Sequence, residues 1–302
     1  MSTAKSSGYF QSLLFLIAAM ISIQSSGSLA KMLFQHFPVL TVAAMRILLG
    51  ALILIVVFRA WRIHFHQVRW SAVLSYGCAL AGMNILFYSA ISRLPLGIAV
   101  SFEFVGPLGV ALYYARQKFD LIWVCLAILG IVLLFPMQKG AADLDLLGVA
   151  YALTAGACWA LYIVAGKKPS GVSGPHTVCL GMLVGAIILL PFLIFSPALA
   201  MLTDANFLLS FFALAVLASA LPFSFEMIAL RNMSSLSFGT LTSLEPAIAA
   251  LSGLIFLGEH LQWNQYLALL TIVSASIGCT ITSSRVAQRK KKSDPPNSNP
   301  AA

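Results

Sequence analysis

Ten apolar stretches follow one another along the chain, and each is long enough to cross a lipid bilayer as a helix. A helix needs about 20 apolar residues to span roughly 30 Å of hydrocarbon. Because backbone groups find no water in that layer, a helix satisfies their hydrogen bonds internally. The sequence therefore predicts an all-α polytopic protein with ten transmembrane helices in a lipid bilayer. The predicted spans are residues 10–30, 39–58, 71–91, 95–114, 121–137, 146–166, 176–195, 207–230, 237–257 and 264–284.

The composition excludes an ordinary soluble protein. Of the 302 residues, 60% are hydrophobic and only 9% are charged, which is far less charge than a soluble surface of this size carries. The five cysteines lie inside apolar stretches and form no close pair, so neither a disulfide framework nor a zinc site is indicated. Nucleotide-binding and hydrolase motifs are absent from suitable contexts in the sequence. We therefore predict no enzyme activity, no cofactor and no metal.

The net charge of +9 is distributed as membrane topology requires and does not indicate nucleic-acid binding. Cytoplasmic loops of membrane proteins carry an excess of lysine and arginine. If both termini are cytoplasmic, only Lys31, Arg93 and Lys139 fall on the other side. The basic residues then assigned to the cytoplasm are Lys5, Arg59, Arg62, Arg69, Arg116, Lys118, Lys167, Lys168, Arg231, Arg285, Arg289, Lys290, Lys291 and Lys292. Residues 285–302 are predicted to be a disordered basic tail lying against anionic lipid.

Two of the predicted spans carry an acid near the middle. In residues 95–114 (PLGIAVSFEFVGPLGVALYY), Glu103 is followed by a Gly-Pro pair; in residues 237–257 (SFGTLTSLEPAIAALSGLIFL), Glu245 directly precedes a proline. A carboxylate at membrane depth costs about 2.5–3.5 kcal/mol on insertion scales, so such residues are retained for function more often than not. We interpret both acids as walls of a central transport path.

The chain contains two copies of one unit. Pro107 in the fourth span aligns with Pro246 in the ninth, and a weaker similarity pairs the first span with the sixth. Because each unit has five spans, the second copy enters the membrane from the opposite side, which gives an inverted repeat. We predict one five-helix repeat over residues 1–137 and another over 146–284, around a central cavity. A cleavable signal peptide is the alternative for the first span, but its loss would remove one helix of the repeat.

Four stretches resemble the drug/metabolite transporter superfamily, and within it the EamA-type family. They are PLGIAVSFEFVGPLGVAL from Pro95, GACWALYI from Gly156, ALPFSFEMIAL from Ala220 and FGTLTSLEPAIAALSGLIFLGE from Phe238. The second repeat keeps the family's LEP…A…G…LGE signature, whereas the first keeps only its GP…A core. The stretches SIQSSGSLAK and MRILLGALIL are similar to the family's threonine and homoserine exporters of bacterial inner membranes. The resemblance implies secondary export of small neutral amino acids by alternating access, with protons as the coupling partner.

Arg46 and Glu103 are the first two candidates for binding or coupling. A guanidinium inside the second span must find a carboxylate, a carbonyl or water. Arg46 is therefore predicted to bind a substrate carboxylate in a bidentate way, to pair with Glu103 or Glu226, or to reach the nearer interface. Glu103 has no basic residue in its own span, so it can carry a proton or hold a substrate amino group; a structural acid facing a neighbouring helix is the alternative.

Glu245 and Glu226 carry two interpretations each. Pro246 removes one helical hydrogen bond, so the Glu245-Pro246 pair is either a hinge with a ligand or a packing kink whose acid caps local backbone. Gly106-Pro107 predicts the same hinge in the first repeat without the acid. Glu226 either faces the cavity or pairs with Arg231, five residues further on.

A smaller set of polar and aromatic side chains suits the wall of a mostly apolar pocket for a small ligand. Helix packing is the alternative role for each of them. They are Gln24, Asn84, Tyr88, Trp159 and Tyr162.

Three rival functions stay open at this point. The same scaffold could export another cargo, such as a nucleoside, an aromatic amino acid or a cationic compound. An intramembrane enzyme would need two acids, or a serine and a histidine, converging at one depth. A passive channel would conduct without exchanging label across the membrane. The sequence sets no oligomeric state.

Overall fold

The computed structural model describes residues 2–114, 118–134, 145–197, 204–234, 237–238 and 241–257, with shorter pieces at 263–264, 266–268, 270–271, 273–275, 278 and 282. All regular secondary structure in these ranges is helical. The predicted tail at 285–302 lies outside them.

The helices of ten or more residues, with the eight-residue segment that precedes one of them, are numbered in chain order. They are α1 (Ser2–Leu33), α2 (Val39–Val57), α3 (Trp70–Ile91), α4 (Leu96–Glu103), α5 (Val105–Tyr114), α6 (Lys118–Leu134), α7 (Leu146–Gly166), α8 (Gly174–Ile194), α9 (Ala205–Ala215), α10 (Leu221–Asn232) and α11 (Glu245–Leu257).

Six described helices are long and apolar enough to cross a membrane. They are Phe10–Leu33, Val39–Val57, Trp70–Ile91, Leu146–Gly166, Gly174–Ile194 and Ala205–Asn232. The other four predicted spans fall on shorter apolar helices, at Leu96–Val110, Leu121–Leu133, Glu245–Phe256 and Tyr266–Ala275. The prediction of an all-α membrane protein is confirmed for the described residues, whereas the arrangement of ten helices in two repeats stays a prediction.

The predicted span 95–114 is interrupted one residue after its acid. Helix α4 ends at Glu103, Phe104 forms a turn, and α5 starts at Val105. The cause is Pro107, which has no N–H and leaves the carbonyl of Glu103, four residues earlier, without a helical partner. The break therefore lies ahead of the Gly-Pro pair rather than at it.

The second half of the chain has irregular helix geometry at two places. A 3₁₀ turn at Thr242–Leu244 precedes α11, so Pro246 lies in the first turn of that helix, where a missing N–H costs little. Between α9 and α10, the segment Val216–Ala220 forms a π-helical turn. π-Helical turns are rare in proteins, and those that occur are frequently found at functional sites.

Basic side chains lie at one end of the bundle, and an arginine paired with an aspartate lies at the other. At the end called here the basic end, the backbone N–H of Arg69 donates to Ser170 O at 2.9 Å, and Nη2 of Arg231 donates to Ser170 Oγ at 3.2 Å. Lys167 donates to the backbone of Met233 at the same end. The charge pattern assigns the three basic residues Arg69, Lys167 and Arg231 to the same side of the membrane.

At the opposite end, one ion pair joins the α3–α4 loop to the start of α7. Nη1 of Arg93 lies 2.7 Å from Oδ2 of Asp145. Oδ1 of Asp145 also accepts from the backbone N–H groups of Leu147 and Gly148, which caps α7. The charge pattern places this arginine and this aspartate on one side too.

The two halves of the chain pack against each other throughout. Helix α3 packs on α7, and α1 packs on α10. Helix α2 packs on α8, and α4 packs on α11. If the halves are equivalent, the first two contacts exchange under a two-fold axis, and the last two map onto themselves.

Candidate functional site

A cavity of about 50 Å³ lies between the two halves, with room for a few water molecules. Helices α1, α2, α3, α4, α7, α10 and α11 contribute to its wall. The wall is mostly apolar and contains one arginine and three glutamates among the described residues. Its residues are Ile23, Gln24, Ser26, Gly27, Arg46, Met83, Asn84, Phe87, Tyr88, Ile91, Leu96, Glu103, Trp159, Phe223, Glu226 and Glu245.

Arg46 is held at the wall by the π-helical turn and by an aromatic ring. Its Nη1 donates to the backbone carbonyl of Ala218 at 2.8 Å, and its guanidinium carbon lies 4.8 Å from the centre of the Tyr88 ring. Its Nε is buried without a hydrogen-bond partner in the described chain. Within the same part of the chain, no carboxylate lies within 4.0 Å of this guanidinium. The predicted alternative of a direct pair with Glu103 or Glu226 is therefore absent from this state, and Nε is the guanidinium donor left without a protein partner there.

The three carboxylates come from different helices and are all buried. Glu103 ends α4, Glu226 lies in α10, and Glu245 begins α11. Glu103 interacts electrostatically with Arg46 and Glu226, and Glu245 interacts with both other glutamates. If all are ionised, three negative charges face one positive charge among the described lining residues. Such a site favours the binding of additional cations, either protons or a ligand ammonium.

The carboxylates differ in their hydrogen bonds. Oε2 of Glu226 accepts from the hydroxyl of Tyr162 at 3.1 Å, and Oε2 of Glu245 accepts from Nε2 of Gln24 at 3.3 Å. The predicted alternative pair of Glu226 with Arg231 is not formed, because Arg231 donates to backbone and hydroxyl groups at the basic end. The carboxylate of Glu103 has no hydrogen bond in the described chain, so it is the acid most available to a ligand or a proton.

The cavity is sealed toward the basic end by close helix packing. A Cβ at Gly181 would lie 2.3 Å from Cδ1 of Tyr76, and one at Gly166 would lie 2.7 Å from Cδ2 of Leu230. The rings of Tyr76 and Tyr162 lie 4.7 Å apart, between Glu226 and the basic end. These helices leave no space for a ligand in their present arrangement.

The break after Glu103 is packed against a glycine of α7. A Cβ at Gly156 would lie 2.4 Å from the carbonyl oxygen of Glu103, and one at Gly106 would lie 1.8 Å from the carbonyl oxygen of Gly156. The two backbones can approach this closely only because neither position has a side chain. The carbonyl released by Pro107 thus lies at a helix contact, where freed backbone groups are tolerated.

The structure brings most of the predicted site residues together. Eight of them line the cavity, and Tyr162 lies beneath it through its bond to Glu226. The predicted hinge residues Gly106, Pro107 and Pro246 are not part of the wall. The eight are Gln24, Arg46, Asn84, Tyr88, Glu103, Trp159, Glu226 and Glu245.

Sequence reasoning missed several apolar wall residues and one backbone group. Phe87 follows Asn84 by three residues, and Phe223 precedes Glu226 by three, so helical spacing could have placed both on the cavity face. Ser26 and Gly27 are small residues whose spacing indicates helix packing only. The carbonyl of Ala218 has no signal in the sequence, because a π-helical turn exposes it.

Relatives with assigned functions are similar to nearly the whole chain. The threonine/homoserine exporter RhtA of Salmonella typhimurium (strain LT2) is 48% identical over 279 residues, which cover 92% of this chain and 94% of that protein. RhtA of Escherichia coli (strain K12) is 47% identical over 270 residues, covering 89% and 91%. The EamA-like transporter family matches residues 146–281. The chain belongs to the EamA-like transporter family. The resemblance seen in the sequence is therefore confirmed.

Two more distant proteins also match nearly the whole chain, one in sequence and one in fold. The uncharacterised transporter YwfM of Bacillus subtilis (strain 168) is 26% identical over 291 residues, which cover 92% of this chain and 95% of that protein. A crystal structure of another protein superposes with a TM-score of 0.74, covering 91% of this chain and 98% of that one at 18% identity. At that identity the likeness shows the fold alone.

Proposed function

We propose that the chain is a secondary exporter of threonine, homoserine and similar small neutral amino acids, coupled to the proton gradient. The observation that carries this proposal is the buried cavity in which Arg46 faces three carboxylates. A zwitterionic amino acid brings one carboxylate and one ammonium, and so fits both signs of charge. The similarity to RhtA proteins of two bacteria supports the choice of cargo.

The substrate carboxylate binds Arg46. Nη1 donates to the Ala218 carbonyl, whereas Nε has no hydrogen-bond partner in the described chain. Nε is therefore the donor left for the substrate carboxylate, and Nη2 beside it would complete a bidentate contact. The contact with the π-helical turn and the Tyr88 ring fixes the guanidinium before the ligand arrives, which lowers the ordering cost of binding.

The substrate ammonium binds Glu103, and a proton competes with it for the same carboxylate. Glu103 is the acid without a hydrogen bond in the described chain, whereas Tyr162 and Gln24 hold the other two. If a proton and a substrate ammonium exclude each other at Glu103, whichever of the two is bound sets whether the inward-open or the outward-open state of the carrier is favoured. Inward proton movement then drives outward amino-acid movement.

Alternating access is supported by the unequal packing along the bundle. The cavity lies toward the end that carries Arg93, while glycine contacts seal the basic end. At about 50 Å³ the cavity must enlarge before it admits an amino acid. The breaks at Phe104 and Thr242–Leu244 supply hinges in both halves, with Gly106, Pro107 and Pro246 beside them.

The same proposal includes ten transmembrane helices in two inverted repeats, over residues 1–137 and 146–284, in a bacterial inner membrane. The exchange of the α1–α10 and α3–α7 contacts under a two-fold axis supports it. The basic end would face the cytoplasm, with both termini and the tail at 285–302. The protein would act as a carrier and not as an enzyme.

A different cargo on the same scaffold is the second candidate. The four aromatic side chains of the described wall (Phe87, Tyr88, Trp159 and Phe223) favour an aromatic amino acid, a nucleoside or a cationic compound. The small volume of the cavity favours the smaller amino acids over these compounds.

Counterflow in proteoliposomes tests the proposal. Liposomes loaded with unlabelled threonine are diluted into labelled threonine, and entry of label is compared with that in empty liposomes. We expect entry above background for the wild type. We expect Glu103→Gln to lose flux driven by a pH gradient at zero membrane voltage. Its exchange of threonine should persist only with a raised KM, because the amide oxygen still accepts from the ammonium but carries no charge. Equal wild-type flux with and without the gradient argues against proton coupling, and absence of threonine exchange by folded protein argues for another cargo.

A further inference from the structure

The uncharged polar groups of the cavity wall present acceptors to a ligand. Nε2 of Gln24 donates to Glu245 at 3.3 Å, Nδ2 of Asn84 donates to Leu80 O at 2.7 Å, and the hydroxyl of Ser26 donates to Ile23 O at 2.6 Å. Each of the three thus has a hydrogen committed to the protein. In the described chain, nothing donates to the side-chain carbonyl oxygen of Gln24 or of Asn84.

Of the two amides, Gln24 is the one that is bonded to a distant helix. Its side chain is bonded to Glu245, and its backbone carbonyl accepts from the hydroxyl of Ser252 at 2.9 Å. Both partners lie in α11, so Gln24 joins α1 to the second half of the chain. In this arrangement the NH₂ group of Gln24 lies toward Glu245, and the side-chain carbonyl oxygen is left for the cavity. The amide of Asn84, by contrast, folds back along its own helix to a residue four positions earlier.

We infer that Gln24 is the specificity-determining residue of the site and that its side-chain carbonyl oxygen accepts a hydrogen bond from the side-chain hydroxyl of the transported amino acid. This inference rests on the proposed export of threonine and homoserine. Arg46 and Glu103 bind the two groups that every amino acid shares, so they cannot distinguish one side chain from another. A hydroxyl is the donor that a fixed amide oxygen requires, whereas a methyl group in the same place leaves that oxygen unpaired. Sites of this kind reject an analogue that lacks the hydroxyl.

Two matched pairs of amino acids test the inference on the wild type. Valine has the shape of threonine with a methyl group in place of the hydroxyl, and norvaline stands in the same relation to homoserine. Each unlabelled compound competes against labelled threonine in the counterflow assay. We expect the hydroxylated member of each pair to compete about tenfold more strongly. Equal competition within both pairs, by a protein that exchanges threonine, overturns the inference and leaves the proposed function standing.

The variant Gln24→Met assigns the preference to one residue, because methionine keeps the length of the side chain without its amide. We expect the threonine-to-valine ratio to fall about tenfold, to near one, while exchange of valine persists. Asn84→Leu is the matched comparison, and we expect its ratio to stay at the wild-type value whatever its overall rate. An unchanged ratio in Gln24→Met, or a loss of preference in Asn84→Leu alone, overturns the inference. If Gln24→Met does not fold, the paired competition on the wild type still decides whether the site selects hydroxyls. Absence of threonine exchange by the wild type removes the proposed function and this inference together.

Discussion

The hydroxyl of Tyr162 on α7 donates to Oε2 of Glu226 on α10 at 3.1 Å, where the cavity ends toward the basic end. Both side chains are buried, and the ring of Tyr162 lies 4.7 Å from that of Tyr76 at an angle of 32°. This bond joins the cavity wall, through Glu226, to the closely packed helices of the basic end, through Tyr162. Any movement that opens the basic end must disturb it.

Replacing Tyr162 by phenylalanine removes that bond and keeps the ring. A buried acceptor that loses its donor costs about 1–3 kcal/mol, so we expect a lower thermal midpoint in detergent and slower threonine exchange. Tyr151→Phe is the control on the same helix, because its hydroxyl makes no hydrogen bond in the described chain and we expect no change. A stable, fully active Tyr162→Phe protein would mean that neither stability nor exchange depends on the hydrogen bond between Tyr162 and Glu226.

Replacing Arg46 by lysine keeps the charge and removes the planar fork. A hydrogen bond to a charged group contributes about 1.5–3 kcal/mol, so we expect the KM for threonine in exchange to rise roughly ten- to a hundredfold. The exposed Arg62, outside the cavity, provides the control Arg62→Lys, for which KM should not change. An unchanged KM in Arg46→Lys would show that the substrate carboxylate binds elsewhere.

Adding a methyl group at the contact between the α4–α5 break and α7 should be strongly destabilising. A Cβ at Gly156 would lie 2.4 Å from the backbone carbonyl oxygen of Glu103. Neither atom could rotate away, because a Cβ is fixed to its own backbone and the carbonyl is part of the other. We expect Gly156→Ala to cost at least about 1–3 kcal/mol, seen as a lower thermal midpoint or poor expression. Gly109→Ala is the matched control in the neighbouring helix, since a Cβ there meets nothing within 4 Å. Similar behaviour of the two variants would contradict the close approach.

The ion pair at the end opposite the basic end predicts an acid dependence of stability. The hydrogen bond from Arg93 holds the pKa of Asp145 below its ordinary value of 3.8, with help from the backbone N–H of Gly148. A depressed pKa means that the stabilisation is present above the unfolded value and is lost as pH falls through the folded one. We therefore expect Asp145→Asn, which keeps a good helix cap, to lower the thermal midpoint at neutral pH. The difference from the wild type should disappear on acidification.

Asp204→Asn provides the comparison for that experiment. Asp204 also caps a helix, through the N–H of Asn206, but it has no ion pair in the described chain. We expect a smaller effect at neutral pH. A pH-independent difference between Asp145→Asn and the wild type would indicate that the cap, and not Arg93, carries the effect.

The helices and the buried charged residues could be predicted from local sequence, because the hydrocarbon layer constrains each segment of the chain separately. Apolar length alone predicts the six described helices that are long enough to cross a membrane, since hydrocarbon demands about 20 apolar residues and internal backbone bonds. The same layer penalises charge, so the sequence alone marks Arg46, Glu103, Glu226 and Glu245 as candidates, and the fold places all four at one cavity. Proline likewise indicates a helix break, although the missing N–H of Pro107 acts on the carbonyl four residues earlier and moves that break back along the chain.

Only the tertiary structure decided which groups meet and which stay free. The sequence allowed Arg46 to pair with a glutamate and Glu226 to pair with Arg231; instead Arg46 binds the Ala218 carbonyl, and Glu226 accepts from Tyr162. Pairing across helices depends on how their faces turn toward each other, and a π-helical turn shifts that register without a sequence signal. The availability of Glu103 and the fixed amide of Gln24 follow from these long-range contacts, because the partners of Gln24 lie 221 and 228 residues away along the chain.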